Sequence, residues 1–75
     1  MFLLMQASSG GAKELAGHVA EIPGVVDAQV TSGPYDVIGR VDVGGPVAAR
    51  SVVEAVRTSK RLTRLAVCSP IGAGL

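Results

Sequence analysis

Val25-Val26-Asp27-Ala28-Gln29-Val30-Thr31-Ser32-Gly33-Pro34-Tyr35-Asp36-Val37-Ile38-Gly39-Arg40-Val41-Asp42-Val43 contains two alternating runs on either side of a turn. From Val25 to Thr31, Val26, Ala28 and Val30 fall on one side and Asp27, Gln29 and Thr31 on the other, the period of a strand with two unlike faces. Alternation resumes from Val37 to Val43, with Val37, Val41 and Val43 opposite Ile38, Arg40 and Asp42. Between them Gly33 has access to positive φ, Pro34 fixes φ at about −65°, and the Asp36 carboxylate can accept a backbone hydrogen bond. The two runs read as a β-hairpin.

On the N-terminal side, Phe2 to Ala7 is apolar apart from Gln6 and reads as a strand, closed by Ser8-Ser9-Gly10-Gly11, a turn able to cap a helix. Ala12, Leu15, Ala16, Val19 and Ile22 then recur at three and four, with Lys13, Glu14, His18 and Glu21 around the other side, until Pro23-Gly24 stops the helix. On the C-terminal side, Gly44-Gly45-Pro46 opens a second helix, Pro46 standing near the first position where its missing N–H costs nothing. Ala49, Val52, Val53 and Val56 form its apolar stripe, Arg50 and Glu54 are spaced to pair outside, and the helix frays near Ser59. Arg61 to Cys68 reads as the last strand. The tail, residues 70–75, reads either as disordered or as lying across a neighbouring subunit through Ile71 and Leu75.

The order βαββαβ predicts a single α+β domain over residues 1–75, a ferredoxin-like antiparallel sheet with both helices on one face. The other face would carry Leu4 and Ile38 together with Gln6, Gln29, Arg40 and Arg64, too apolar for plain solvent surface and too polar for a dry core. A second sheet facing it, in a dimeric α/β barrel, is the expected solution.

Composition points the same way. A chain of 75 residues buries a small fraction of its surface and usually needs a staple. One cysteine, Cys68, forbids an internal disulfide, and with one histidine, His18, no zinc-spaced cluster can be written, so association remains. Hydrophobic residues make up 48% but aromatics only 3%, so the apolar material is small side chains suited to packing across sheets and between subunits. A net charge of +1 provides no long-range field toward nucleic acid or an anionic membrane. Met1 to Met5 lacks a basic region and is too short for a secretion signal, and no apolar stretch reaches the roughly 20 residues of a bilayer span. The expectation is a cytoplasmic protein without metal or cofactor.

Glu21-Ile22-Pro23-Gly24-Val25-Val26, then Ala28, then Thr31-Ser32-Gly33-Pro34-Tyr35-Asp36-Val37-Ile38 closely resembles the effector-binding domain, or RAM domain, of the Lrp/AsnC regulator family. The similarity extends from the first strand to Leu62-Thr63-Arg64. Members of that family form dimers through facing sheets, and the dimers close into rings that bind small effectors, commonly amino acids, at contacts lined by the Gly-x-Tyr-Asp turn. The resemblance therefore implies a homodimer assembling into a ring, with Gly33, Tyr35 and Asp36 at a ligand site and Thr31 and Ser32 close by. An Asp there suits an amino group, and turn amides suit a carboxylate. The sequence begins directly at the first strand, which implies a stand-alone form without the family's helix-turn-helix half, acting through full-length relatives and not by direct nucleic-acid contact. It also departs from the family after Arg64, where Leu65, Ala66 and Val67 stand in place of alternating threonines.

Read without the resemblance, Tyr35 suits either a packing anchor or a wall for a small ligand. Cys68 and His18 are the obvious nucleophile and base, but His18 falls on the outer side of its helix and Cys68 reads as a small buried hydrophobe, so no catalytic residue is expected. Arg57, Lys60, Arg61 and Arg64 read mainly as cations complementing a helix C-terminus. Neither Gly10-Gly11 nor Gly44-Gly45 matches a nucleotide fingerprint. The expected function is effector binding and assembly linked to transcriptional regulation. The rivals are a barrel enzyme using Arg40 and Arg64 to hold an anion, or a purely structural assembly module.

Overall fold

The computed structural model describes residues 1–69, and the tail lies outside them. In chain order the elements are β1 (Phe2–Ala7), α1 (Ala12–Ala20), β2 (Val25–Val30), β3 (Val37–Val41), α2 (Pro46–Arg57) and β4 (Leu62–Cys68). They build one antiparallel sheet in the order β2-β3-β1-β4, the ferredoxin-like α+β arrangement expected. β3 stops at Val41 instead of Val43: Asp42 N–H still reaches the Gly24 carbonyl at 3.0 Å, in register with the Val25–Val41 pair, but Gly24, at φ 97°, has left the strand conformation.

Both helices cover the same face. Leu3 and Met5 of β1, Val37 and Val41 of β3, Leu15, Ala16 and Val19 of α1, and Val52 and Val56 of α2 form the core. Each fully buried Val, Leu or Met contributes roughly 1.5–3 kcal/mol relative to exposure, so this one-sided core is the main stabilising term. Val53 packs against its edge. The apolar stripes are largely as their spacing predicts, except that Ile22 packs from beyond the end of α1 at Ala20 and Ala49 is not among the residues on the core. Neither helix has a side-chain cap: Gly11 and Gly45 occupy the N-cap positions, and the serines before α1 do not cap it.

The pattern of β2 requires a correction. Alternation alone puts Val26, Ala28 and Val30 together on the buried side, but the ladder shifts register between Val25 and Asp27, so Val25 pairs with Val41 and Asp27 with Arg40. The extra residue in this bulge breaks the period of two. Val25 and Ala28 pack on the core, whereas Val26 is 51% and Val30 52% exposed. Cys68 corrects a second expectation. It is exposed, because it ends the edge strand β4 opposite Phe2 and no helix reaches it. The Arg50–Glu54 pair does not form either. The ion pairs among the described residues are Arg40–Asp27 and Arg61–Glu14, each at 3.4 Å and open to solvent, where such pairs contribute about 0–1 kcal/mol.

Positive φ falls elsewhere than expected: among the described residues it occurs at Gly10 and Gly24, and Gly33 does not need it. At Gly24 φ is 97°, and a Cβ would stand 2.7 Å from Val43 Cγ1 and 2.9 Å from Val52 Cγ2, whereas at Gly33 it would meet open space. Gly24→Ala should thus lose about 1–3 kcal/mol in urea unfolding through strain and crowding. Gly33→Ala should change stability by under about 0.5 kcal/mol.

Candidate functional site

The turn between β2 and β3 is held from both sides. Thr31 N–H donates to the Asp36 carbonyl at 2.9 Å, closing the hairpin, and the Thr31 hydroxyl donates to the Tyr35 carbonyl. β1 supplies the rest of the clamp. Gln6 Nε2 donates to the Pro34 carbonyl at 2.8 Å, Asp36 N–H donates to the Met5 carbonyl at 2.8 Å, and Ala7 N–H donates to Asp36 Oδ2 at 2.8 Å. Asp36 thus ties the first residue before β3 to the end of β1.

These contacts decide what the expected site residues have available. Thr31, Tyr35 and Asp36 are half-buried, while Ser32 and Gly33 project into solvent. The backbone N–H groups of Ser32, Gly33 and Tyr35 donate to no protein acceptor among the described residues. Asp36 is partly committed. With Oδ2 accepting from Ala7, Oδ1 is the oxygen without a protein donor among the described residues.

The uncovered sheet face is built as its alternation predicts. Leu4 lies opposite Ile38 on one side and Ala66 on the other, Gln6 opposite Arg64, and Gln29 opposite Ile38. Paired residues share a face, so these form one surface. Within it Phe2, Asp27, Gln29, Thr31, Ile38 and Arg40 surround a hollow of about 290 Å³. Thr31 is therefore the residue common to the turn and the hollow. Arg40 stands out in the sequence as a candidate, but Phe2, Asp27 and Gln29 do not. The alternation that puts Asp27, Gln29 and Thr31 on one side of β2 was the available signal.

Other candidate chemistry does not converge. His18 is exposed on α1, over the helical face, while Cys68 stands opposite Phe2 on the uncovered face. Among the described residues no cluster of His, Cys, Asp or Glu is placed to hold a metal, and no helix is long and apolar enough to cross a membrane. Arg57 does lie in the last turn of α2, as a cation complementing the helix end would, but Arg61 turns to Glu14 and Ser8.

No protein-family model and no curated protein matches the sequence. Solved structures do match the fold. TTHA0845 from Thermus thermophilus superposes with a TM-score of 0.78 at 22% identity, covering 92% of each chain. The hypothetical protein PHS023 from Pyrococcus horikoshii gives 0.75 at 23% identity, over 91% of this chain and 88% of that one. FFRP-DM1 gives 0.78 at 24% identity, over 87% and 88%. At these identities the likeness establishes a shared fold.

Removing the Asp36 carboxylate leaves the Ala7 N–H without its acceptor. Asp36→Ala should therefore cost about 1–3 kcal/mol in urea unfolding, with Asp36→Asn, which keeps a carbonyl oxygen, recovering part of it. No loss for Asp36→Ala would mean that the clamp does not hold the turn.

Proposed function

We propose that this chain is an effector-binding and assembly module linked to transcriptional regulation, which pairs sheet to sheet with a second copy and holds an amino-acid-like molecule at the turn between subunits. The observation carrying this reading is the uncovered face, where Leu4, Ile38 and Ala66 lie among Gln6, Gln29, Arg40 and Arg64. A surface of that mixture is what a partly polar interface between two copies requires, and an isologous pairing of sheets covers it with its own equivalent.

The turn supports the second half. Its free amides suit a carboxylate, and Asp36 Oδ1 suits an ammonium group, so Thr31, Ser32, Gly33, Tyr35 and Asp36 are the proposed ligand contacts. The fold shared with FFRP-DM1, a feast/famine regulatory protein of the Lrp/AsnC family, supports the link to regulation. In this reading dimers assemble further into a ring. The chain influences transcription by associating with full-length regulators, since its net charge of +1 gives no field toward phosphates.

A second reading, a barrel enzyme, is favoured by one observation, the polar hollow at Arg40 on the face that a partner would enclose. The two are separable by the ligand: an effector is recovered unchanged after incubation, a substrate is not.

Light scattering should give a mass of at least a dimer, and Ile38→Glu, which puts a charge in the centre of the proposed interface, should shift it to the monomer with the circular dichroism retained. A wild-type monomer at micromolar concentration would overturn the assembly reading. Titration calorimetry with a panel of amino acids should show heat for at least one, and none for any with the oligomer intact would remove the effector half.

A further inference from the structure

We infer that the outer edge of β4 is a second docking surface, which takes β4 of another copy of this chain antiparallel and joins dimers into a larger assembly. β4 ends the sheet order β2-β3-β1-β4, so one of its edges carries backbone N–H and C=O groups that no strand pairs among the described residues. Such an edge is a ready template for another strand unless something blunts it. The opposite edge of the sheet is blunted. β2 carries the bulge between Val25 and Asp27 and the charge of Asp27, and Pro23 stands just before it. β4 has no such device from Arg64 to Cys68, where five successive residues pair with β1 in unbroken register.

The side chains of this run select a second copy as the occupant. An antiparallel pairing centred on Ala66 sets Arg64 opposite Cys68 of the second copy, Leu65 opposite Val67, and Ala66 opposite its own equivalent. Two-fold symmetry makes each unlike contact twice. Leu65 and Val67 lie on the helical side of the sheet, because they pair with Met5 and Leu3. Val67 is 44% exposed there, and this register lays Leu65 of the second copy beside it. Arg64 is the one charged residue of β4, and the register holds it away from its own equivalent, so no like charges stand opposite each other. Ala66, at the axis, is small enough for the two strands to close.

A contact of five paired residues is small beside the ~1,200 Å² at the lower limit of stable interfaces, so between single chains it is weak. Its strength comes from the dimer. The inference rests in this respect on the sheet-to-sheet pairing proposed above, which gives each dimer two β4 edges and makes the last contact of a closing ring intramolecular. The sheet face then sets the dimer, and the strand edge sets what the dimers build.

The test is sedimentation and native mass spectrometry of the full chain, under reducing conditions and from micromolar to millimolar concentration. The wild type should form species larger than a dimer. Val67→Glu puts a charge against Leu65 of the second copy and lies on the helical side, away from the uncovered face. It should reduce the larger species to dimers with the circular dichroism retained, and Val67→Lys replaces it if it fails to fold. Cys68→Arg should also stop at the dimer, because it opposes Arg64 with a second cation, whereas Cys68→Glu meets Arg64 with an anion and should keep the larger species. Both Cys68 variants place a charge at the same point of the uncovered face, so the difference between them reports the edge. A wild type that stops at the dimer, larger species that survive in a folded Val67 variant, or equal behaviour of the two Cys68 variants overturns the edge contact while leaving the dimer intact. A wild-type monomer at every concentration removes the edge contact and the dimer together.

Discussion

Both helices of the described chain lie over the same side of a four-stranded sheet, so the sheet has one face packed by Leu15, Val19, Val52 and Val56 and one face packed by nothing of its own. Everything else follows from how the chain distributes side chains between these two surfaces. Leu3 and Met5 can be wholly apolar because α1 and α2 cover them. Leu4 and Gln6, one residue away from them, are half-buried on the face that no helix covers. The period of two in a strand converts this into a strict alternation, and a single extra residue at Val26 is enough to move Val25 inward and Val26 outward.

The turn acquires its meaning from the same arrangement. β1 is an interior strand, hydrogen-bonded to β3 and β4, and its C-terminal end also holds the hairpin through Gln6, Met5 and Ala7. The Thr31 hydroxyl and one oxygen of Asp36 are thereby spent on fixing the backbone of the turn.

Much of this was legible from local patterns. The two helices, their apolar stripes and the order of elements follow from recurrence at three and four and from Pro and Gly at the ends, because those signals are set by residues close in sequence. The uncovered face was also readable, since Leu4, Ile38, Gln29 and Arg64 fall on it by alternation alone. What was not readable depends on partners far along the chain. The bulge at Val26 arises from pairing with β3. Cys68 is exposed because β4 is an edge strand, a fact of topology and not of its neighbours. Gly33 looked like a residue chosen for positive φ, yet the positive φ falls at Gly24, where Val43 and Val52 crowd the backbone. Asp36 does accept a backbone hydrogen bond, as its side chain suggests, but the donor is Ala7 on the first strand, a partner no local pattern names.

The position of β1 has a kinetic consequence. It is the first strand in the described chain, and its two neighbours, β3 and β4, come much later, with β4 the last element among the described residues. Only β2 and β3 form a pairing between neighbours in sequence. During synthesis β1 leaves the ribosome with both edges unpaired and with Phe2, Leu3, Leu4 and Met5 exposed, and its second edge is satisfied only after β4 has emerged. Pairing over such separations is slow to nucleate, because the loop entropy is lost before the contacts are made. The strand that anchors the finished sheet is therefore also the segment that spends longest as an open template for aggregation.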